Sequence, residues 1–291
     1  MTIRACRCAA VVLAITSAIA SAAASAAGLA PANYVEVGDT IVDMLDTSVL
    51  AFSTMLLGQI NAPRPVLATF TPERARSQSF STPCPGGGSV STRIADRDAS
   101  GDVSVRDRFV TVFHACRIDN ETLSGSSEFV IAADRTLNGV ETTELEFRFH
   151  HLGSDTMRWN GAARAVLRSD LKSGAEQYAV AYQDLAVTRG ARAMRWNFTL
   201  ETQHPPLGDH TAQINGSLML DRAIVRMVQN DPFVVAPGGK PRAGLLTATD
   251  AKGDRLEVEA GRRVYRYRFY ASGKRGDAPD SSSQSKPHGG P

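Results

Sequence analysis

Four stretches of the chain alternate apolar and polar residues with a period of two, and this pattern constrains the fold more than any other feature. The four stretches are residues 108–116, 143–151, 178–188 and 262–270. In the first of them Phe109 and Phe113 share one side with Thr111, while Val110 and His114 lie on the other. Alternation of this kind predicts antiparallel strands with one buried face and one face in water.

A short unit ending in glycine recurs along the same part of the chain. It reads Leu-Ser-Gly at 123–125, Trp-Asn-Gly at 159–161 and Ile-Asn-Gly at 214–216. Recurrence at similar spacing hints at a repeated unit of two or three strands. We therefore predict a mainly β fold, an antiparallel meander that forms a curved sheet or a half-barrel or barrel, with one N-terminal helix packed on it.

Residues 41–57 form the one strong helix candidate. Ile41, Leu45 and Val49 follow helical spacing, which Phe52 and Leu56 continue. The preceding Asp39 and Thr40 are favourable N-cap residues, and Gly58 stands where a C-terminal glycine is common. A helix with one apolar face needs a partner surface, and the predicted sheet offers one.

The first 27 residues have the layout of a cleaved secretory signal peptide. Arg4 and Arg7 precede the apolar run 8–20, and small residues follow at 21–27. The apolar run is shorter than the roughly 20 residues that a membrane-spanning helix needs, and no later segment is long enough. These features predict export to the periplasm or secretion, without a transmembrane helix.

The remaining chain reads as a single β-rich domain over residues 28–271, followed by a tail at 272–291. The tail has almost no apolar residues and is rich in Ser, Gly and Pro, which predicts disorder. The whole chain carries 32 Lys and Arg against 30 Asp and Glu, and the two basic residues in excess lie in the predicted signal peptide. A balanced mature chain gives no electrostatic reason to expect a nucleic-acid partner.

Two cysteines, Cys84 and Cys116, lie beyond the predicted signal peptide. An even pair in an oxidising compartment predicts a disulfide bond. Two buried free thiols are the alternative.

The stretch from Asp96 to Asp107 resembles a calcium-binding loop. The candidate ligands are Asp96, Asp98, Ser100, Asp102 and Asp107, and Gly101 stands at the sixth position. Alternate residues of a tight loop direct their oxygens inward, which suits a hard cation. The flanks read as strands rather than helices, so the loop is not part of an EF-hand, and an ion there would be structural. The alternative is a polar turn between two strands.

No catalytic motif is present in the sequence. It lacks a G-x-S-x-G elbow, an H-E-x-x-H helix and a phosphate-binding glycine loop. The histidines do not have zinc-ligand spacing, and His150 and His151 would point to opposite faces of a strand. No catalytic or cofactor-binding residue is therefore assigned.

The segment from Cys84 to Cys116 resembles a group of uncharacterised exported proteins of Gram-negative bacteria. These proteins share a C-x-G-G start, here residues 84–87, a D-x-D-x-x-G-x-x-S loop, here residues 96–104, and a returning cysteine. The resemblance implies a periplasmic or cell-envelope setting. It implies no activity and no catalytic residues.

Three functions remain open on the sequence. The first is a non-enzymatic envelope protein that binds an apolar, lipid-like ligand or a protein partner on its curved sheet. The second is a periplasmic or secreted hydrolase. The third is an outer-membrane β-barrel, against which the low aromatic content of 7% argues.

Overall fold

The computed structural model describes most of the chain after the predicted signal peptide. The described residues are 28–45, 77–100, 104–118, 121–154, 156–190, 192–220, 222–236, 240–261, 264–273, 279 and 281–284. They form one helix, α1, over residues 34–45, and fourteen strands. The strands are β1 Gln78–Pro83, β2 Ser89–Ala95, β3 Arg108–Ile118, β4 Glu121–Leu137, β5 Val140–Gly153, β6 Met157–Asp170, β7 Glu176–Arg189, β8 Arg192–His204, β9 His210–Leu220, β10 Ala223–Ala236, β11 Lys240–Asp250, β12 Arg255–Gly261, β13 Val264–Tyr270 and β14 Ser281–Gln284.

All fourteen strands belong to one antiparallel sheet, and each strand pairs with its neighbours in the sequence. The strand order is therefore a simple meander from β1 to β14, and these two strands are its edges rather than partners of each other. The predicted fold class is confirmed in its open form. Within the described residues, the structure contains no helix with the length and hydropathy of a membrane span.

The period-two pattern places the predicted side chains in the core. Phe109 of β3, Phe147 of β5 and Tyr267 of β13 are all buried, as the alternation predicts. Arg268, on the other side of β13, forms an ion pair with Glu259 of β12. A single apolar cluster runs from β2 to β13 and includes the buried side of α1.

The sheet is bent by bulges on successive strands. The register shifts between Phe113 and Cys116 on β3, and between Phe149 and Leu152 on β5. Gly125 of β4 faces the second of these bulges with φ +92, and a Cβ there would lie 2.2 Å from the carbonyl oxygen of His151. Gly125, which ends the first copy of the recurring unit, thus lies where a bulged neighbour approaches closely, and such bulges increase the curvature of a sheet.

Helix α1 lies against the end of the sheet where β7 meets β8, and it also contacts β13. Near the start of the helix, Glu36 pairs with Arg192 at 2.5 Å, and about two turns further along Asp43 pairs with Arg189. On β13, the hydroxyl of Tyr267 donates to Asp39 Oδ1 at 2.7 Å.

The predicted helix start at residue 41 is wrong. The helix already includes residues 34–40, so Asp39 and Thr40 are interior residues and not N-caps. The Asn33 side chain instead accepts from the Ala30 amide at 2.8 Å and donates to the Gly28 carbonyl at 3.0 Å. The rest of the predicted helix, residues 46–57, lies outside the described residues.

The predicted disorder of residues 272–291 does not hold for the whole tail. Ser281–Gln284 form β14 and pair with residues 266–269 of β13. Serine-rich segments bury little apolar area, but an unpaired sheet edge offers them backbone hydrogen bonds.

Candidate functional site

Three carboxylates converge where β2 leads into β3. Asp96 follows β2, Asp107 precedes β3 and Asp98 lies in the loop between them. One carboxylate oxygen from each of the three lies within 4.8 Å of the other two. Asp96 and Asp107 are buried while Asp98 is exposed, so the cluster opens to solvent on one side.

Backbone amides hold the loop around Asp107. Its Oδ1 accepts from the Arg97 amide at 2.9 Å, and its Oδ2 accepts from the Ser104 amide at 2.8 Å. The Ser104 hydroxyl donates to Asp98 at 2.9 Å and to Asp107 at 3.2 Å. These bonds draw the two sides of the loop together on the carboxylates.

The pKa values of Asp98 and Asp107 are shifted in opposite directions. Hydrogen bonds from Ser100 lower the pKa of Asp98 to about 2, with a further contribution from Ser104. Burial raises the pKa of Asp107 above its ordinary value, and the charge of Asp96 adds to the effect. A cation near the cluster would offset both the cost of burying the Asp107 charge and its repulsion by Asp96.

Of the predicted metal ligands, the structure brings Asp96, Asp98 and Asp107 together. Ser100 contributes its backbone amide to Asp98 Oδ1 at 3.0 Å, and Asp102 lies outside the described residues. Ser104 joins the cluster although the sequence prediction left it out. Its place at the ninth position of the loop was the available signal, since that position commonly contributes an oxygen.

The predicted disulfide between Cys84 and Cys116 is confirmed, with 5.4 Å between the Cα atoms. It joins the turn after β1 to β3, at the end of the β2–β3 hairpin opposite the acidic loop. The disulfide and the carboxylate cluster therefore fix the two ends of the same hairpin.

Two histidines stack at the base of the loop between β8 and β9. The ring centroids of His204 and His210 are 4.9 Å apart, and Tyr178 meets His204 edge-on at 5.3 Å. Partial burial lowers the pKa of both histidines. The sequence places both histidines in one proline-containing loop, but neither strand alternation nor spacing shows that the two ends of this loop meet.

Aromatic side chains line the buried face of the sheet. Phe109 stacks on Phe129 with ring centroids 4.4 Å apart, and Phe129 contacts Phe147 at 5.7 Å. Further along the sheet, Trp196 of β8 lies edge-on to Tyr182 at 5.5 Å. These contacts lie on five strands, β3, β4, β5, β7 and β8.

Trp196 adds a buried polar group to that face. Its side chain is 2% exposed, and its indole Nε1 has no hydrogen-bond acceptor in the described part of the chain. A buried N–H without an acceptor costs about 1–3 kcal/mol, so its presence calls for an explanation.

The arrangement closest to a nucleophile with its base is a hydrogen bond of 3.1 Å between Ser91 Oγ and His114 Nε2. The bond is exposed and joins the neighbouring strands β2 and β3. Among the described residues, no carboxylate pairs with His114. Ser91 and His114 therefore do not form part of an oriented triad.

A scan of protein-family models, a search of curated proteins and a search of solved structures each found no match to this chain. The fold and the sites thus define an open antiparallel β-meander with an apolar, aromatic-lined face and an acidic loop at one edge hairpin. Function has to be argued from these features.

Proposed function

We propose that the chain is an exported, non-enzymatic protein of the cell envelope whose curved sheet binds an apolar, lipid-like ligand on its inner face. The observation that carries the proposal is the buried indole N–H of Trp196, which has no acceptor among the described residues. It lies in an aromatic cluster with Tyr182 and Phe198, whose rings contact it at 5.5 Å each.

The chemistry of the ligand follows from these surroundings. Apolar sites usually combine a hydrophobic lining with a few polar groups that orient the ligand. A ligand with a long hydrocarbon part and one acceptor, such as an ester carbonyl, would contact the aromatic rings and accept from Trp196. The acceptor would remove the cost of the unpaired donor on binding.

The proposal can be tested by native mass spectrometry of the protein purified from the cell envelope in its exported form. We expect lipid to co-purify with wild-type protein and its occupancy to fall in W196F, which keeps an apolar ring and removes the donor. The matched control is W159F, because Trp159 is only partly buried at the edge of the core. Lipid-free protein in several independent preparations would refute the proposal.

The same variants supply a binding assay in solution. The chain has two tryptophans, so W159F leaves Trp196 as the only indole. Titration of this variant with a diacyl lipid in a mild detergent should change Trp196 emission and saturate. An ether lipid of the same length lacks the carbonyl and should bind more weakly.

Export and the cell envelope are part of this proposal. The disulfide supports an oxidising compartment, and the N-terminal residues have the charge and apolar pattern of a signal peptide. The intact mass of protein recovered from the periplasmic or extracellular fraction should correspond to a chain that begins near residue 28. A full-length chain in the cytosol would contradict it.

A second candidate is a structural calcium ion at the acidic loop, favoured by the convergence of Asp96, Asp98 and Asp107. Ca²⁺ takes six to eight oxygen ligands, so the three carboxylates would be completed by loop oxygens and water. An ion present at 100 times its dissociation constant stabilises the folded state by about 2.7 kcal/mol.

Calorimetric titration with CaCl2 after chelation tests this second candidate. We expect one site in the wild type and none in D98N, while D231N, at an exposed position on β10, should bind as the wild type does. The absence of both binding heat and thermal stabilisation in the wild type would leave the loop as a polar turn.

A further inference from the structure

Three hairpins at one end of the sheet each expose a leucine at or beside the turn. Leu137 ends β4, Leu171 lies in the turn between β6 and β7, and Leu207 lies in the loop between β8 and β9. Their exposed fractions are 70%, 62% and 90%. We call these three residues the leucine rim.

The three hairpin ends lie side by side. The amide of Leu171 donates to the carbonyl of Gly139 at 2.9 Å, which joins the first turn to the second. A Cβ added at Gly174 would lie 3.9 Å from Pro206, so the second turn contacts the third loop. Alternate hairpins of a sheet are two strand spacings apart, so neighbouring leucines project at intervals of roughly 10 Å.

The hairpins at the opposite end have a different chemistry. Their turns contain Thr156, Arg222, Lys252 and Asp254, and none of the large exposed apolar side chains of the described residues lies in them. Exposed single leucines are common on proteins. Three on adjacent turns at one end, with none in the described turns at the other, make the two ends of the sheet chemically different.

The turns around the leucine rim contain few charged residues. The turn residues 138–139, 171–175 and 205–209 contain two charged side chains, Lys172 and Asp209, and Asp209 pairs with Arg242 at 3.0 Å. The nearby Asp170 directs its carboxylate to the turn itself and accepts from the amides of Lys172 at 2.8 Å and Ser173 at 3.3 Å. The projecting surface is therefore mainly apolar, and Lys172 is its exposed positive charge.

We propose that the leucine rim docks the protein on a lipid membrane surface. Separate leucines on projecting turns suit a fluid layer, which closes around each side chain, better than a protein partner, which would need a matching pocket for each. Phosphate groups of the lipid would pair with the ammonium group of Lys172. The inference rests on the proposed function for its purpose, because docking would bring the ligand-binding face to a source of lipid.

Co-sedimentation with vesicles of phosphatidylethanolamine and phosphatidylglycerol at a ratio of 3:1 tests the inference. We expect the wild type to bind, each of L137S, L171S and L207S to weaken binding by about tenfold, and the triple variant to lose it. The matched control is I224S, since Ile224 is 57% exposed but lies on the outer side of β10 near the opposite end. Circular dichroism checks that every variant keeps the β fold.

Because the leucine rim is apolar and the turns around it carry few charges, binding should change little between 50 and 500 mM NaCl, whereas a basic patch would release the protein. Failure of the wild type to sediment, or equal binding by the triple variant, would overturn the inference. A wild-type dimer that becomes monomeric in the triple variant without vesicle binding would instead assign the rim to self-association. Co-purified lipid in the triple variant would show that the inner face still binds ligand, so failure of the rim and failure of the proposed function are distinguishable.

Discussion

Removal of the disulfide between Cys84 and Cys116 should destabilise the protein by an amount that the structure sets. The bond closes a span of 32 residues. In the chain-entropy description, a loop of this size costs the unfolded chain about 3.7 kcal/mol of conformational freedom at 25 °C. For a domain of this size we expect the unfolding midpoint to fall by roughly 7–15 °C.

The native state should change little, because backbone hydrogen bonds already hold the two segments together. The Gly86 amide donates to the Arg117 carbonyl at 3.0 Å, and the Arg117 amide donates to the Gly87 carbonyl at 2.9 Å. The loss of stability is therefore assigned to a freer unfolded chain rather than to a distorted fold. The chemical shifts of reduced protein should change only near the two cysteines.

Thermal unfolding followed by circular dichroism provides the measurement. Oxidised wild type is compared with reduced wild type, and both are compared with the double variant C84A/C116A, which separates the lost bond from the lost sulfur atoms. An equal midpoint for oxidised and reduced wild type would refute the reasoning. Widespread chemical-shift changes on reduction would refute the assignment to the unfolded chain.

Three further predictions concern single positions. G216A should cost at least about 2 kcal/mol more than G190A in urea unfolding, because a Cβ at Gly216 would lie 2.4 Å from a backbone oxygen while Gly190 faces open space. Hydrogen bonds that lower the pKa of Asp98 to about 2 contribute stability that is complete above its ordinary pKa of 3.8 and is lost as the pH falls towards 2, so D98N should flatten the acid limb of a stability–pH profile. Burial lowers the pKa of His204 and His210, so the free energy of unfolding should fall as the pH drops below 6.5, and two-dimensional NMR of the imidazoles should show both folded-state midpoints below that value.

The strands could be predicted from the sequence because their side chains report directly on burial. Phe109, Leu145 and Tyr267 are buried at positions that alternation alone selects. The same local pattern gave the antiparallel meander, since short connections between amphipathic strands favour neighbours in the sequence as neighbours in the sheet.

The start of α1 could not be predicted because tertiary contacts decide it. Residues 34–40 include Gly38, which disfavours an isolated helix. A Cβ at this position would lie 2.8 Å from the ring of Tyr267, which is 229 residues away in the sequence. The helix thus contains a glycine because it packs closely on β13, and no local rule contains that information.

In the acidic loop, the sequence motif predicts part of the site but not the role of every residue. The ligand pattern correctly brought Asp96, Asp98 and Asp107 together, because both ends of the loop are fixed by adjacent strands. It did not show that Ser100 would supply an amide and Ser104 a hydroxyl, because these roles depend on the backbone path of the loop. Spacing therefore predicts which residues meet, while the loop geometry decides what each of them donates.

The features that carry the functional proposals depend on register, which the sequence does not state. Trp196 and Trp159 share the same Arg-Trp-Asn context, yet the first is fully buried and the second only partly buried. Leu207 is likewise an ordinary apolar residue until the contact between adjacent hairpins places it in a row with Leu171. The burial of Trp196 and the row formed by Leu171 and Leu207 are consequently properties of pairing between strands, and variants that shift the register, such as G216A, should disturb them together with stability.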